Sequence, residues 1–229
     1  MHTFARTTAL LLLFAGMALG QASDPGDPAN WCREGSFTRS SDNFSLGIAK
    51  GTRGTKLYFY GDESEDCPAN ERCRKKAYVV PGDQVVVSKT AGEFSCAWFT
   101  PTKGYATVGW VKTENLRFVE AAAEPALAKW IGEFTYGDNS INFTHNKLAG
   151  FLNVTGDAIW KGVGDNVHVG ELDGRFEPEG GVLKYSDGDD EFDCNAKMTL
   201  RGSFLVVADN NRCGGVNVSF SGVYRKKGK

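Results

Sequence analysis

Short segments rich in β-branched and aromatic residues, separated by turn residues, run through most of this chain of 229 residues. Turn clusters such as 137–139, 156–157 and 179–181 recur at short intervals. Turns at this spacing leave room for strands and little for helices. The 28 glycines and the 12% of aromatic residues fit the same pattern. The sequence therefore predicts an all-β protein, in which a turn around 121–130 is the best helical candidate.

The strand candidates fall into two groups, with a change of composition between them at 120–125 (EAAAEP). The first group precedes this stretch, and the turn 81–83 joins two of its members. Its strand candidates are 45–50, 56–60, 77–80, 84–88, 94–100 and 105–110. The second group has the strand candidates 131–136, 141–144, 148–154, 158–163, 167–176, 182–186, 197–200, 204–207 and 216–224. Their spacing predicts an antiparallel barrel or sandwich of about eight strands. We therefore expect a β domain with a lead-in over 23–119, a linker over 120–126 and a second β domain over 127–229.

The N-terminus has the pattern of a secretory signal peptide over residues 1–22. The weakly basic start contains Arg6, and an apolar run follows at 9–19. This run is shorter than the ~20 residues that a membrane-spanning helix requires, and small residues follow it. The sequence predicts export, and a periplasmic or secreted location.

The cysteines support the same compartment. The chain has 6 cysteines, an even number, and in an exported chain this indicates disulfides. Zinc is not indicated, because the chain has no CxxC motif. The simplest partition puts Cys194–Cys213 in the second domain and two bridges in the first. Of the three pairings that remain open there, we favour Cys67–Cys73 with Cys32–Cys96.

Two resemblances to known families refine these expectations. The run 78–85 (YVVPGDQV), a later strand pair, Gly109-Trp110-Val111 and Leu116 resemble a bacterial SH3-like domain over about 46–119. That resemblance implies a small five-stranded barrel, with the tryptophan after the glycine packed near its end, and a role in binding peptides or cell-wall fragments.

The C-terminal region resembles the β domain of small envelope proteins related to LprI-type lysozyme inhibitors. The specific part is the CGG-x-NV-x-F-SG-x-Y pattern that begins at Cys213. Residues 221–225 (SGVYR) also resemble the serine–glycine loop of MliC-type periplasmic lysozyme inhibitors, although the order around the motif differs and the Thr-Lys-Gly element at 102–104 lies in the other domain. The resemblance implies an inhibitor of a cell-wall-acting enzyme.

The sequence offers little for catalysis. A formal charge of −2 lacks the positive field of a general nucleic-acid binder. Outside the signal peptide, His145 and His168 are the histidines, and neither lies in a nucleophile motif. No nucleotide-binding pattern is present, so we expect no cofactor. We therefore expect a protein that is not an enzyme, with an envelope hydrolase as the second alternative.

The acidic run 187–193 (DGDDEFD) has two readings. Its alternate carboxylates Asp187, Asp189, Glu191 and Asp193 are a weak candidate for a Ca²⁺ site. The run does not follow the EF-hand order, and we favour a solvated hairpin loop instead.

The expected function is binding to another envelope protein, plausibly a lysozyme- or amidase-like enzyme, through an inhibitor or immunity-type contact. The loop 101–104 or the hairpin 221–225 then enters the enzyme's cleft. The alternative is a peptide- or peptidoglycan-binding module that uses the SH3-like groove. The candidate binding residues for these roles are Trp98, Thr102, Lys103, Tyr105, Trp110, Ser221, Tyr224 and Arg225. We expect no nucleic acid and no membrane span among the partners.

Overall fold

The fold of the chain is given by a computed structural model, which describes residues 26, 27, 30–102, 104–120 and 125–228. The predicted signal peptide and most of the predicted linker lie outside these residues. Within the described ranges, the chain forms two antiparallel sheets, so the all-β prediction is confirmed. No helix among these residues is long and apolar enough to cross a membrane.

The first sheet contains seven strands of the described chain, in the order β3-β2-β6-β5-β4-β1-β7. The strands are β1 (Ser45–Ala49), β2 (Leu57–Tyr60), β3 (Arg74–Val79), β4 (Gln84–Ala91), β5 (Phe94–Phe99), β6 (Thr107–Lys112) and β7 (Leu116–Val119). A short helix, α1 (Glu34–Phe37), lies in the lead-in segment 30–44, and 3₁₀ turns cover Glu71–Cys73 and Thr113–Asn115. The sheet has seven strands where the SH3-like resemblance implies five, and the resemblance itself stays a prediction. The strand β7, which we did not predict, pairs with β1 along Leu46–Ala49.

The second sheet is an eight-stranded, nearly closed barrel in the part of the chain that is described. Its strands are β8 (Gly132–Tyr136), β9 (Asn139–His145), β10 (Leu152–Lys161), β11 (Val167–Phe176), β12 (Val182–Ser186), β13 (Asn195–Arg201), β14 (Phe204–Asp209) and β15 (Gly222–Lys226). Each strand pairs with the next one in sequence except β11 with β12, and β15 pairs with β8. The seam between β11 and β12 has no strand ladder in the part of the chain that the structure describes. There the Tyr185 hydroxyl donates to the Asp173 carbonyl and accepts from the Asp173 amide.

The interior of the barrel is filled by side chains and closed at both ends. Trp130, which follows the 3₁₀ turn Leu127–Lys129, is fully buried at one end and contacts Phe143. At the other end the segment 210–221 folds across the barrel and buries Val218 and Phe220. The barrel is therefore a packed core rather than a ligand cavity.

Three predicted strands in this region differ from the structure. The predicted strands 148–154 and 158–163 form one continuous strand, β10, through Gly156 and Asp157. The predicted strand 216–224 is mostly the segment that closes the barrel, and only Gly222–Lys226 is a strand. In its first half, the Val218 amide donates to the Gly215 carbonyl and the Phe220 amide donates to Asp209, so these two amides are used outside any strand ladder.

The two sheets share one hydrophobic cluster. It contains the outward-facing residues Phe204, Val206 and Val223 of the barrel together with one face of the first sheet and the lead-in segment. The opposite face of the first sheet has its own cluster, which includes Phe59, Val85 and Val111. The first sheet is therefore buried on both faces, and the barrel supplies one of the covers.

All three predicted disulfides are present: Cys32–Cys96, Cys67–Cys73 and Cys194–Cys213. No cysteine is left unpaired. The first bridge fastens the lead-in segment to β5, and the third joins the loop 187–194 to the segment that closes the barrel.

Candidate functional site

Three of the predicted binding residues lie in the core. Trp98 and Trp110 are 1% and 2% exposed, and Tyr224 is fully buried. The Trp98 ring lies 5.3 Å from the Phe37 ring, and its Nε1 donates to Thr100 Oγ1 at 3.1 Å. As placed here, these rings are not accessible to a partner. The reason is the double burial of the first sheet, which turns a face that would be open in an isolated domain into interior.

Ser221, another predicted binding residue, belongs to a polar turn around Asp209. The Asp209 side chain is fully buried and accepts from Ser221 Oγ at 2.7 Å and from the Phe220 amide at 2.6 Å. Ser219 Oγ donates to the same carboxylate at 2.9 Å, and the Arg39 guanidinium lies 3.3 Å from it. The hydroxyl of Ser221 is thus occupied inside the molecule, where it shapes the start of β15.

Thr102 and Arg225 come together at one groove on the surface. This groove has a volume of about 420 Å³ and lies where the first sheet meets the barrel. Its lining residues are Gly82, Asp83, Gln84, Phe99, Pro101, Thr102 and Arg225. The two elements that we predicted as alternative plugs, 101–104 and 221–225, therefore contribute to the same site.

Hydrogen bonds between the sheets fix the base of this groove. Arg225 Nη1 donates to the Thr100 carbonyl at 3.2 Å, and Thr100 Oγ1 donates to the Val223 carbonyl at 3.2 Å. Both bonds join the end of β5 to β15 in the barrel. The loop that follows Thr100 consequently starts from a fixed position.

The tip of that loop carries an exposed aromatic residue. Tyr105 is 96% exposed, compared with 41% for Tyr78 on the first sheet. Its neighbour Thr102 is exposed as well, while Lys103 lies outside the described residues. Tyr105 follows the lining residue Thr102 by three positions, and a fully exposed tyrosine presents a large apolar ring and a hydroxyl to a partner.

The partly buried Tyr136 and the fully buried Tyr224 form a layer of tyrosine rings beneath the junction. Tyr136 contacts both Trp98 and Tyr224, with ring centroids 5.5 and 5.7 Å apart. Burial raises the pKa of Tyr136 well above its ordinary value, and its hydrogen bond to the Glu34 carboxylate raises it further. Burial likewise raises the pKa of Tyr224, whose hydroxyl donates to the Phe220 carbonyl at 2.9 Å. Both rings therefore stay neutral over the ordinary pH range.

Two candidate carboxylates of the acidic loop accept hydrogen bonds from backbone amides of that loop. Asp187 accepts from the Cys194 amide at 2.7 Å, and Asp193 accepts from the Asp190 amide at 2.7 Å. In the described ranges, the group of acidic or thiol ligands that comes within 4.8 Å is Asp66, Cys67 and Cys73, whose sulfurs are joined in a disulfide. Aspartates that cap backbone amides in this way are typical of an ordered turn.

Sequence reasoning missed two buried carboxylates that organise the molecule. Asp209 orders the end of the barrel, and Asp62 accepts from the Cys32 amide at 2.6 Å and from Arg33 Nε at 2.8 Å. Both follow a strand segment in the sequence, but an aspartate at the end of a strand is equally typical of an exposed turn. The signal that distinguishes them, burial by a distant segment, is absent from the local sequence.

Comparisons of the chain with protein-family models, with curated proteins and with solved structures found no match.

Proposed function

We propose that this protein is an exported binding protein that inhibits a cell-wall-acting enzyme of the lysozyme or amidase type. The contact is made by the loop 101–105 and the groove beside it. The observation that carries the proposal is the convergence of Thr102 and Arg225 on one groove, since each comes from a different sequence element that we expected to enter an enzyme's cleft.

The hydrogen bonds at the base of the groove support a rigid contact of the kind that inhibitors make. Its base is fixed by Thr100 and Arg225, which bridge the two sheets, and it rests on the packed layer of Trp98 and Tyr136. A loop on such a base loses little conformational entropy when it binds, which favours tight association. Tyr105 supplies a ring that can fill a cleft, with a hydroxyl for a polar partner.

Disulfide pairing supports export. All six cysteines form bridges, and disulfides of this kind persist in oxidising compartments. Together with the secretory pattern of residues 1–22, this supports a periplasmic or secreted location in a bacterium, where cell-wall enzymes act.

A titration of lysozyme and amidase activity on labelled sacculi tests the proposal. We expect the purified protein to lower turnover of one of these enzymes, and Tyr105→Ala to weaken inhibition about tenfold or more, as for a central interface aromatic. Leu148→Ala is the matched control, because Leu148 is a half-exposed apolar residue on a loop of the barrel away from the groove lining. Absence of inhibition, or equal loss in both variants, would argue against the proposal.

A second candidate, binding to the cell wall itself, is favoured by an aromatic pair on the first sheet. Tyr58 and Tyr78 lie opposite each other on β2 and β3, with ring centroids 5.8 Å apart. Lys56 lies 4.6 Å from the centre of the Tyr78 ring, and Arg74 lies 4.8 Å from that of Tyr58. Aromatic faces beside cations suit an anionic wall peptide. Sedimentation with sacculi distinguishes the two candidates: wall binding is lost in Tyr78→Ala and kept in Tyr105→Ala.

A further inference from the structure

A second exposed apolar surface lies at the end of the barrel that carries the turn between β10 and β11. Val163 is 97% exposed and Val216 is 71% exposed, and three further aliphatic residues beside them are more than one third exposed. The surface, called the tip surface below, consists of Ile159, Val163, Val167, Val169 and Val216. It shares no residue with the groove lining.

The register of β10 and β11 places Ile159, Val167 and Val169 on one outer face of the barrel. Ile159 lies directly opposite Val169, so that both side chains stand on the same outer face of the barrel. The segment that closes the barrel lies along the same end of β11: the Gly215 amide donates to the Val169 carbonyl at 3.1 Å, and the His168 ring contacts the Val216 carbonyl. Val216 is therefore exposed at the end of the strands whose outer face carries Ile159 and Val169. Gly170 permits this approach, because a Cβ there would lie 2.1 Å from the Cys213 carbonyl oxygen.

The apolar residues are confined to the tip of these strands. Farther along the same outer face, β10 carries Thr155 and Asp157, and β11 carries Glu171 and Asp173. Polar residues are expected there, because the outer face of the barrel is exposed to solvent. Folding of the barrel does not explain the valines at the tip, whereas a contiguous exposed apolar surface is typical of a protein–protein contact.

The charges around the tip surface are mostly negative. Asp157 and Glu171 lie next to it on the same face, and Asp165 lies in the turn between β10 and β11. Lys161 forms an ion pair with Asp138 at 2.6 Å, which offsets its charge. The Cys194–Cys213 disulfide joins the acidic loop 187–193 to the segment that carries Val216, and Arg212 of that segment lies 4.7 Å from the centre of the Phe192 ring in the loop.

This rim decides which partner fits. A second copy of the chain would bring an equally acidic rim against it, and like charges across a contact cost free energy. A partner with an apolar centre and a rim of lysine and arginine is complementary in both respects, and its association is steered by the opposite charges.

We propose that the tip surface is the docking site for a protein with a basic contact face. The contact is separate from the groove of the proposed function, and either one can exist without the other. The valines supply the desolvated centre, and the carboxylates supply the rim that selects a basic partner.

Photo-crosslinking in the producing cells tests this docking site. The full-length exported protein carries p-benzoylphenylalanine in place of Val167, and the matched control carries it in place of Thr155, an exposed position on the outer face of β10 away from the tip. We expect an adduct with a second protein from position 167, with a yield about tenfold above that from position 155. The partner is then identified, purified and bound to the wild-type protein.

Binding by the purified pair gives the decisive result. We expect Val169→Asp to weaken binding about tenfold, because it places an unpaired charge in the centre of the contact. We expect Val163→Ser to weaken it less, and about 0.5 M salt to weaken it in the wild type. Both residues are exposed, so the thermal unfolding of the two variants should match that of the wild type. The proposal is overturned by a yield at position 167 no higher than the control, by an adduct of two copies of this chain, or by binding that salt and Val169→Asp leave unchanged.

Discussion

The barrel and the first sheet bury their apolar residues in opposite ways. The barrel has an interior core of its own, closed by Trp130 at one end and by Phe220 at the other. The first sheet has a small core on one face, while its other face is covered by the lead-in segment and by outward-facing residues of β14 and β15. The barrel therefore buries a hydrophobic core between its own strands, whereas one face of the first sheet is buried only by contact with the barrel and the lead-in segment.

The strand β14 lies at the boundary of the two cores and shows the difference within two residues. Phe204 is 1% exposed and packs in the cluster shared with the first sheet, while Leu205 is fully buried in the barrel interior. Alternate side chains of a strand point to opposite faces, so that these neighbours report on different cores. Substitutions at the two positions can therefore test the dependence of one sheet on the other.

The largest expected effect is that of Phe204→Ala. Removing a buried phenylalanine costs about 3–5 kcal/mol, and here the loss falls on the contact between the sheets. We expect the wild type to unfold in one calorimetric transition and Phe204→Ala to unfold in two, with the first sheet melting at the lower temperature. Scanning calorimetry with the disulfides intact measures this.

Leu205→Ala is the control for this prediction. It costs about 2–5 kcal/mol in the barrel interior but leaves the shared cluster in place. We expect one transition at a lower temperature. If both variants give the same single transition, the two cores are not distinguishable and the comparison fails.

Local patterns of the sequence predicted much of the fold. The segments 167–176 and 182–186 are strands with the predicted bounds, and the favoured disulfide pairing is present. These predictions depend on local alternation, turn residues and cysteine count, which neighbouring residues determine.

The errors share a physical cause, which is contact with distant parts of the chain. Gly156 was interpreted as a turn residue, yet it lies inside β10, where a Cβ would be 3.2 Å from both Leu172 and Phe220. Glycine is needed there for close packing and not for a turn. Trp98 was placed in a binding groove because nothing near it in sequence shows that the lead-in segment and the barrel cover it. The groove itself joins residues more than one hundred positions apart, which local patterns do not reveal.

The two buried aspartates extend the comparison to polar contacts. Asp209 orders the closing segment of the barrel through three hydrogen bonds and Arg39, while Asp62 holds the lead-in segment to the first sheet through Cys32 and Arg33. We expect Asp209→Ala to lower the free energy of unfolding by about 3 kcal/mol, because it leaves several buried donors without an acceptor.

Asp62→Ala is the counterpart in the first sheet. We expect it to cost about 2 kcal/mol, because fewer donors lose their acceptor. Denaturant unfolding of both variants measures the order. A larger loss for Asp62→Ala would mean that the lead-in segment contributes more to stability than the closed end of the barrel does.

The smallest effect is expected at the seam of the barrel. The Tyr185 hydroxyl from β12 satisfies both the amide and the carbonyl of Asp173 on β11, at 3.2 and 3.3 Å. Tyr185→Phe removes this bridge and costs about 1 kcal/mol, the ordinary contribution of a hydrogen bond. We expect the Asp173 amide to exchange with solvent faster in this variant, since β11 has no ladder partner on that side.

Tyr60→Phe provides the control for the seam in the first sheet, because its hydroxyl donates to Glu71, an exposed carboxylate, at 3.0 Å. Water replaces that partner when the hydroxyl is lost, and the stability changes by less than about 0.5 kcal/mol. Hydrogen exchange that is equally fast at Asp173 in the wild type and in Tyr185→Phe would show that the barrel seam is open to water in both. The barrel would then have an open edge as the first sheet does, and its independence would have to come from the interior core alone.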